Sequence, residues 1–188
     1  MAGLGKGPFH KEISLAVIFL DRDGVLNVEE TGTYINSPDQ LQVFDFAPLA
    51  LATLRLLGHR CFLVTNQAGV GMGYLTPETL NAIHDKLCLS IGEFDGIYTC
   101  MHSKDAGCDC RKPKPGLLLQ AAKEHGIDLG ESYFVGDRPS DIEAAYNAGC
   151  VSVAVLSGHL TRESIGELPH QPDMIFDNVL AFAEYLIK

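Results

Sequence analysis

Two patterns of apolar residues alternate along this chain: continuous runs and helical spacing. Continuous apolar runs of strand length are typical of strands that are buried on both faces. Such runs occur at Leu15–Leu20, Cys61–Val64, Gly96–Tyr98, Tyr133–Val135, Val151–Leu156 and Met174–Phe176. Between them, apolar residues recur at helical spacing, as in the segment that follows Thr76 and Pro77, a typical helix start. The pattern therefore predicts strands that alternate with helices.

Helices are predicted at Pro48–Leu57, from Pro77 to Ile91, at Gly116–His125, from a capping box of Ser140 and Glu143 to Gly149, and at Val179–Ile187. This order of elements predicts an α/β fold, in which a parallel sheet carries helices on both faces. We expect one Rossmann-like domain over residues 1–188, with residues 1–13 as a loose tail. In such folds the functional site lies at the carboxyl ends of the strands.

Composition and charge narrow the class of protein. The chain has 188 residues, of which 46% are hydrophobic and 20% charged, enough for one well-buried domain. Its formal net charge of −10 disfavours nucleic acid and anionic membranes as partners. No apolar run approaches the ~20 residues that span a bilayer, and the first dozen residues lack the apolar core of a signal peptide. We expect a cytoplasmic protein, most simply a monomer, that acts on a small molecule.

Polar side chains follow the predicted strands and open one helix. These residues are Asp21 and Asp23; Thr65, Asn66 and Gln67; Asp137, Arg138 and Asp141; and the segment RKPKPG at 111–116. Carboxylates held close together repel one another, and Mg²⁺ is a natural cation to neutralise them. A lysine and a threonine hydroxyl suit phosphoryl oxygens, whereas one aspartate can attack phosphorus and a second can move protons. Each motif is weak alone, but together they indicate phosphoryl transfer.

The segments DRDGV, VTN, RKPKPG and VGDRPSD resemble, in this order, the four motifs of the haloacid dehalogenase-like phosphatase superfamily. The resemblance implies that Asp21 is the nucleophile that forms an aspartyl-phosphate and that Asp23 is the general acid and base. It also implies that Thr65 and Lys112 stabilise the phosphoryl group. Asp21, the backbone carbonyl of Asp23, and Asp137 would bind Mg²⁺.

A second metal motif lies directly before Arg111 and Lys112. Cys100, His102, Cys108 and Cys110 supply three thiols and one imidazole, a complete tetrahedral set for Zn²⁺. Because protein fills all four positions, we expect a structural site that pins the loop. The alternatives are surface cysteines that bind nothing or a disulfide, although a disulfide between Cys108 and Cys110 would be strained at that spacing.

A narrower resemblance rests on the run FLDRDGVLN, TNQAGVG, CDCRKPKPG and VGDR. These segments are similar to those of the branch that contains D-glycero-D-manno-heptose-1,7-bisphosphate 7-phosphatases and histidinol-phosphatase domains. The resemblance implies substrate-binding roles for Asn66, Gln67, Ala68, Arg111, Arg138 and Tyr34. It also implies Mg²⁺-dependent hydrolysis of a small phosphorylated sugar, with the 7-phosphate of the heptose bisphosphate as the expected target.

Other interpretations remain open at the level of sequence. Histidinol phosphate is an alternative substrate, a phosphotransferase would share the aspartyl-phosphate step, and a non-catalytic zinc-stapled binding module is a different class. Neither interval between the motifs has room for a separate cap domain, so an open pocket is expected. Relatives of this branch commonly carry an arginine where this chain has Met72, and Lys104 or Lys114 would be the replacement cation.

Overall fold

A parallel six-stranded sheet forms the centre of the computed structural model, which describes residues 15–29 and 34–188. The expected loose tail at residues 1–13 lies outside the described residues. The strands are β1 (Val17–Leu20), β2 (Arg60–Asn66), β3 (Gly96–Cys100), β4 (Tyr133–Gly136), β5 (Val151–Val155) and β6 (Met174–Phe176). The helices are α1 (Ala47–Leu56), α2 (Ala68–Gly71), α3 (Pro77–Ile91), α4 (Gly116–His125), α5 (Pro139–Ala148), α6 (Arg162–Ile165) and α7 (Val179–Leu186), with short 3₁₀ helices at Pro38–Gln40 and Leu129–Glu131.

The sheet is buried between two layers of helices. Side chains of a strand point alternately to opposite faces, so Ile18 and Leu20 of β1 face α1, α3 and α7, whereas Val17 and Phe19 face α4 and α5. Every residue of β1 is buried, which explains why its sequence is continuously apolar. The predicted α/β class, with helices on both faces of a parallel sheet, is confirmed.

The strand order places β1 at the point where the chain changes direction. The order is β3-β2-β1-β4-β5-β6, so the chain builds outwards from β1 on one side and then returns to its other side through β4. In open parallel sheets, ligands bind in the crevice beyond the carboxyl ends of the strands at this switch point. The polar residues that follow β1, β2 and β4 lie at this edge.

Helix boundaries follow the local chemistry, with one correction. Thr76 caps α3 by accepting a hydrogen bond from the N–H of Thr79 at 3.2 Å, as the sequence predicts. The predicted capping box of Ser140 and Glu143 is wrong, because α5 begins earlier, at Pro139. Arg138 precedes this helix, and the carboxylate of Asp141 accepts the N–H of Arg138 at 3.0 Å.

The connections between strands are short in the described part of the chain. Between β1 and β2 lie a loop, a 3₁₀ helix and α1, and between β2 and β3 lie α2 and α3. No separate cap domain is formed by these described residues. Among them, no helix combines the length and the apolar character that crossing a bilayer requires.

Replacing Leu54 by alanine should lower the free energy of unfolding by about 2–5 kcal/mol, because its side chain is completely buried on α1. Leu56 lies on the same helix but is 88% exposed, so the matched change Leu56→Ala should stay within about 0.5 kcal/mol. Urea unfolding of both variants measures the difference. Similar losses for the two variants would contradict the described orientation of α1.

Candidate active site

An open cavity of about 390 Å³ lies at the carboxyl edge of the sheet. It is lined by Asp21, Asp23, Glu29, Tyr34, Thr65, Asn66, Ala68, Lys104, Arg111, Lys112, Arg138, Ser140, Asp141 and His159. Residues from all four predicted motifs therefore meet in one place. Of the residues singled out in those motifs, Asp137 and Gln67 are buried and do not line the cavity itself.

The loop after β1 is folded so that its two aspartates stay at the sheet edge. The N–H of Asp21 continues the sheet by donating to the carbonyl of Val135 at 3.0 Å. Gly24 then turns the chain with a φ of 77°, which favours glycine. A Cβ at this position would also lie 2.3 Å from Oδ2 of Asp137, so a side chain would collide with that carboxylate.

Lys112 is held between two carboxylates. Its Nζ lies 2.8 Å from Oδ1 of Asp21 and 2.8 Å from Oδ1 of Asp141, and it donates to the carbonyl of Val64 at 3.0 Å. The lysine side chain is only 2% exposed. Burial alone would lower the pKa of Lys112, but the charges of Asp141 and Asp21 outweigh burial and raise it. The ammonium is therefore charged, and it fixes the position of Asp21.

Asp137 lies completely buried behind Asp21. Its Oδ2 accepts the N–H of His159 at 2.8 Å, whereas its buried Oδ1 has no hydrogen-bond partner among the described residues. Burial, together with the charges of Asp141 and Asp21, raises the pKa of Asp137 to about 8. A buried carboxylate oxygen without a donor is a position where a cation is favourable.

The charges around Asp21 fit a divalent cation. One oxygen from each of Asp21, Asp137 and Asp141 lies within 4.8 Å of the others. When all three carboxylates are ionised, Lys112 neutralises one of them and two negative charges remain uncompensated. Burial raises the pKa of Asp21 to about 7, with the charge of Asp141 adding to the rise and that of Lys112 opposing it. Hard carboxylate donors with this residual charge suit Mg²⁺.

Asp23 has a different environment from Asp21. Its carboxylate accepts five hydrogen bonds, from the guanidinium of Arg22 and the side-chain amides of Asn27 and Gln67, at 2.9–3.1 Å. Burial tends to raise the pKa of Asp23, but the charge of Arg22 and these hydrogen bonds lower it below its ordinary value. Two aspartates separated by a single residue thus have pKa values shifted in opposite directions.

The carboxyl end of β2 and the turn that follows it support the site. The amide of Gln67 donates to Oδ2 of Asp23 and to the hydroxyl of Thr65, both at 2.9 Å. Asn66 makes two hydrogen bonds with the backbone of Lys112, at 3.1 and 3.2 Å. Ala68 lines the cavity at the first residue of α2. The side chains of Gln67 and Asn66 are thus engaged with protein groups, Asp23 and the backbone of Lys112 respectively.

The cysteine and histidine side chains converge at the end of β3. Sγ of Cys100 lies 3.7 Å from Sγ of Cys108 and 3.7 Å from Nδ1 of His102, which is 3.2 Å from Sγ of Cys110. A tetrahedral zinc site with ~2.3 Å Zn–S bonds has edges of roughly 3.8 Å, so the four donors fit Zn²⁺. None of the six cysteines is paired in a disulfide, and the 3.7 Å between Sγ of Cys100 and Sγ of Cys108 far exceeds an S–S bond, which disfavours the disulfide alternative.

The cysteine loop packs closely against the segment that carries the basic residues. A Cβ at Gly116 would lie 2.2 Å from the carbonyl oxygen of Asp109, so glycine is required where α4 meets the loop. Lys104 of this loop lines the cavity, whereas Lys114 is directed to Asp109 at 2.8 Å. Of the two lysines considered from sequence, Lys104 is therefore the one at the cavity.

Arg138 and Tyr34 lie on the cavity wall with partners that the sequence did not indicate. The guanidinium of Arg138 lies 2.5 Å from the carboxylate of Glu29, which is also 3.8 Å from the ring of His159. Tyr34 stacks obliquely against Tyr74, with ring centroids 5.4 Å apart. Glu29 and His159 reach the cavity from loops that show no motif.

Sequence reasoning missed three residues of the site: Arg22, Glu29 and His159. Arg22 lies between the two aspartates, and its spacing indicated nothing beyond a turn. Glu29 and His159 come from distant loops, and only the fold brings them beside Arg138. A polar residue between two motif aspartates was the one available signal, and it applied to Arg22.

Comparisons with known proteins identify the family of the chain. Residues 109–182 match a family model described as HAD-hydrolase-like. The D-glycero-β-D-manno-heptose-1,7-bisphosphate 7-phosphatase of Pseudomonas aeruginosa is 37% identical, and the alignment covers 94% of this chain and 100% of that protein.

Two solved structures are also similar. The D,D-heptose 1,7-bisphosphate phosphatase from B. bronchiseptica, complexed with magnesium and phosphate, has a TM-score of 0.84 and 36% identity, covering 92% of this chain and 98% of that one. The phosphatase of the same description from Burkholderia thailandensis has a TM-score of 0.69 and 29% identity, covering 92% and 99%. The chain therefore belongs to the HAD-like phosphatases, in the family of the heptose-1,7-bisphosphate 7-phosphatases.

Proposed function

We propose that this protein hydrolyses D-glycero-β-D-manno-heptose 1,7-bisphosphate at the 7-phosphate, through an aspartyl-phosphate intermediate. The observation that carries the proposal is the carboxylate of Asp21, fixed by Lys112 at the floor of an open cavity beside Asp23. Relatives that match almost the whole chain carry this enzyme name, which supports the choice of substrate.

The two aspartates take different parts of the reaction. A carboxylate oxygen of Asp21 attacks phosphorus, so that a new O–P bond forms while the bond from phosphorus to the sugar oxygen breaks. Asp23 takes up a proton when the anionic phosphate binds beside its carboxylate, and it gives that proton to the departing oxygen. Asp23 then takes a proton from water, whose oxygen attacks phosphorus and releases Asp21 together with inorganic phosphate. Because the cavity is open, water reaches the intermediate without a lid movement.

Asp21, Asp137 and the backbone carbonyl of Asp23 would hold Mg²⁺, with Asp141 serving to position Lys112. The cation, when bound, neutralises the phosphoryl oxygens and so lets an anionic nucleophile approach an anionic group. Lys112 and Thr65 act on the same oxygens from the protein side. The charge deficit described above is what supports this assignment.

Binding of the substrate is assigned to the cationic side of the cavity. The buried Nη1 of Arg111 has no hydrogen-bond partner among the described residues, and Lys104 lines the same wall. An anionic oxygen of the bound bisphosphate would satisfy that donor. Tyr34, Asn66, Gln67, Ala68 and Arg138 complete the proposed binding surface, in which Gln67 acts through its contact with Asp23.

The charge and the fold support the wider setting that we propose. We assign one catalytic domain to residues 1–188, acting as a monomer in the cytoplasm on a small phosphorylated molecule. The net charge of −10 gives little support for nucleic acid or an anionic membrane as a partner. Zn²⁺ bound by Cys100, His102, Cys108 and Cys110 has a structural role, because protein donors fill its tetrahedral shell.

Phosphate release in the presence of Mg²⁺ tests the proposed substrate. At equal concentrations, heptose 1,7-bisphosphate should be hydrolysed with a higher kcat/KM than histidinol phosphate, by about 10²-fold or more, because only the bisphosphate supplies an anion for Arg111 as well as for Lys112. A preference for histidinol phosphate would overturn the substrate assignment.

Asp21→Asn should lower kcat by about 10⁴-fold or more, because the proposed nucleophile is removed.

Asp39→Asn is the control for Asp21→Asn, because Asp39 is an exposed aspartate on a 3₁₀ helix away from the cavity. It should keep full activity. Near-ultraviolet circular dichroism and zinc content should be unchanged in both variants. Substantial residual turnover by folded Asp21→Asn would remove Asp21 as the nucleophile.

The stability of the metal-free protein should fall as pH rises. The pKa values of Asp21 and Asp137 are raised from 3.8 to about 7 and about 8, so their protonated forms favour the folded state. That contribution is complete below about pH 4 and is lost as pH rises through the two folded-state values. Mg²⁺ should therefore raise Tm more at about pH 8.5 than at about pH 5.5.

Differential scanning fluorimetry with and without Mg²⁺ measures this effect. In Asp137→Asn the pH dependence should shrink, because one of the two titrating carboxyls is removed. Asp39→Asn, on the surface, should behave as the wild type. An increase in Tm on addition of Mg²⁺ that is the same at both pH values would contradict the charge deficit.

Replacing Cys108 and Cys110 together by serine should abolish zinc binding and lower Tm, because two of the four donors are lost. Elemental analysis of the purified protein should find one zinc per wild-type chain and none in the variant. Cys88→Ser is the matched control, since this free cysteine lies on α3 outside the cluster. If purified wild-type protein contains no zinc, the assignment of a zinc site to this cluster is wrong.

A further inference from the structure

Among the described residues, Arg22 is the largest side chain that is almost fully buried, with 1% exposure. A buried guanidinium is costly unless its donors are paired, and it has five N–H groups to satisfy. The proposed mechanism uses the residues on either side of Arg22 and assigns no part to Arg22 itself. Its contacts therefore decide whether it is simply packed in the interior or supports the chemistry.

The guanidinium of Arg22 donates hydrogen bonds to both oxygens of the Asp23 carboxylate. Nε lies 3.1 Å from Oδ1, and Nη2 lies 2.9 Å from Oδ1 and 3.0 Å from Oδ2. Nη2 also donates to Oε1 of Gln67 at 3.1 Å, and the amide of Gln67 donates back to Oδ2 of Asp23 at 2.9 Å. Both oxygens of Asp23 are thus held by groups from two segments, which restricts the rotation of the carboxylate.

His84 supports the other end of the guanidinium. Nη1 of Arg22 lies 3.4 Å from Nε2 of His84, on α3. Arginine can only donate, so Nε2 is the acceptor and the imidazole is neutral. Burial and the charge of Arg22 lower the pKa of His84 to about 4, which agrees with the neutral form. His84 is itself buried, and its helix packs against the main core.

We propose that Arg22, supported by His84, is a positioning residue that fixes the carboxylate of Asp23 for proton transfer to the departing sugar oxygen. This inference rests on the proposed function, in which Asp23 supplies that proton while the Asp21–phosphorus bond forms and the sugar–phosphorus bond breaks. Arg22 does not reach the substrate cavity and acts through Asp23. Its guanidinium joins the loop after β1, the turn after β2 and α3 around one carboxylate.

Two substrates separate this role from a structural one. A sugar phosphate loses a strongly basic oxygen and needs the proton, whereas 4-nitrophenyl phosphate loses a stable anion and does not. Arg22→Lys should lower kcat/KM for the heptose bisphosphate by about 10²-fold, and for 4-nitrophenyl phosphate by less than about tenfold. The ratio kcat/KM is the measured quantity because it reports the steps up to formation of the aspartyl-phosphate.

His84→Leu provides a second variant that leaves Arg22 in place. It should show the same substrate-dependent pattern with a smaller loss, because one donor of Arg22 is left unpaired. His59→Leu is the matched control, since His59 is also buried but bonds the carbonyl of Ala16 at the opposite end of β1. It should lower stability without changing the ratio of the two kcat/KM values.

The Asp23→Asn background completes the test. If Arg22 acts through Asp23, the double variant Arg22→Lys/Asp23→Asn should lose no more activity than Asp23→Asn alone. Equal losses on both substrates, or additive losses in the double variant, would overturn the inference. If Asp23→Asn itself does not discriminate between the substrates, the acid role in the proposed mechanism fails and the inference fails with it. If Asp23→Asn discriminates but Arg22→Lys and His84→Leu do not, only the role of Arg22 is rejected.

Discussion

The buried ammonium of Lys112 is the interaction on which the site depends. It lies 2.8 Å from both Asp21 and Asp141, so that a residue before α4 joins the loop after β1 to the first turn of α5. Without this cation, three buried carboxylates would repel one another with little water to screen them. The sheet brings the segments to one edge, and the shared ammonium fixes them there.

The distribution of charge gives the two aspartates of the loop different electrostatic environments. Asp23 is neutralised by Arg22 and receives hydrogen bonds on both oxygens, which lowers its pKa. Asp21 shares one ammonium with Asp141 and lies near Asp137, so its pKa is raised to about 7. Carboxylates that are close in sequence can thus differ in chemistry because their surroundings differ. The uncompensated negative charge around Asp21 suits a divalent cation, whereas the charge of the Asp23 carboxylate is balanced by Arg22.

The cavity owes its shape to loops rather than to an added domain. Its cationic side comes from the segment that joins the cysteine cluster to α4, and the close approach of Asp109 to Gly116 ties the two together. A metal ion in that cluster would stabilise the loop that carries Lys104 and, a few residues later, Arg111 and Lys112. The ion pair of Glu29 and Arg138 also lines the cavity.

The sequence alone determined the α/β fold, the parallel sheet, and the motif residues Asp21, Thr65, Lys112 and Asp137, because burial on both faces and strand-end polarity leave local patterns. It also indicated the cysteine and histidine set, because its donors are near neighbours in the chain. The start of α5 was predicted incorrectly, since Ser140 looked like a cap and the tertiary setting favoured Asp141. Only the tertiary structure decided that Arg22 supports Asp23 with His84, and that Glu29 pairs with Arg138. The contacts of Arg22 with His84 and of Glu29 with Arg138 join residues far apart in sequence, and no periodicity or spacing records which distant side chains a fold brings together.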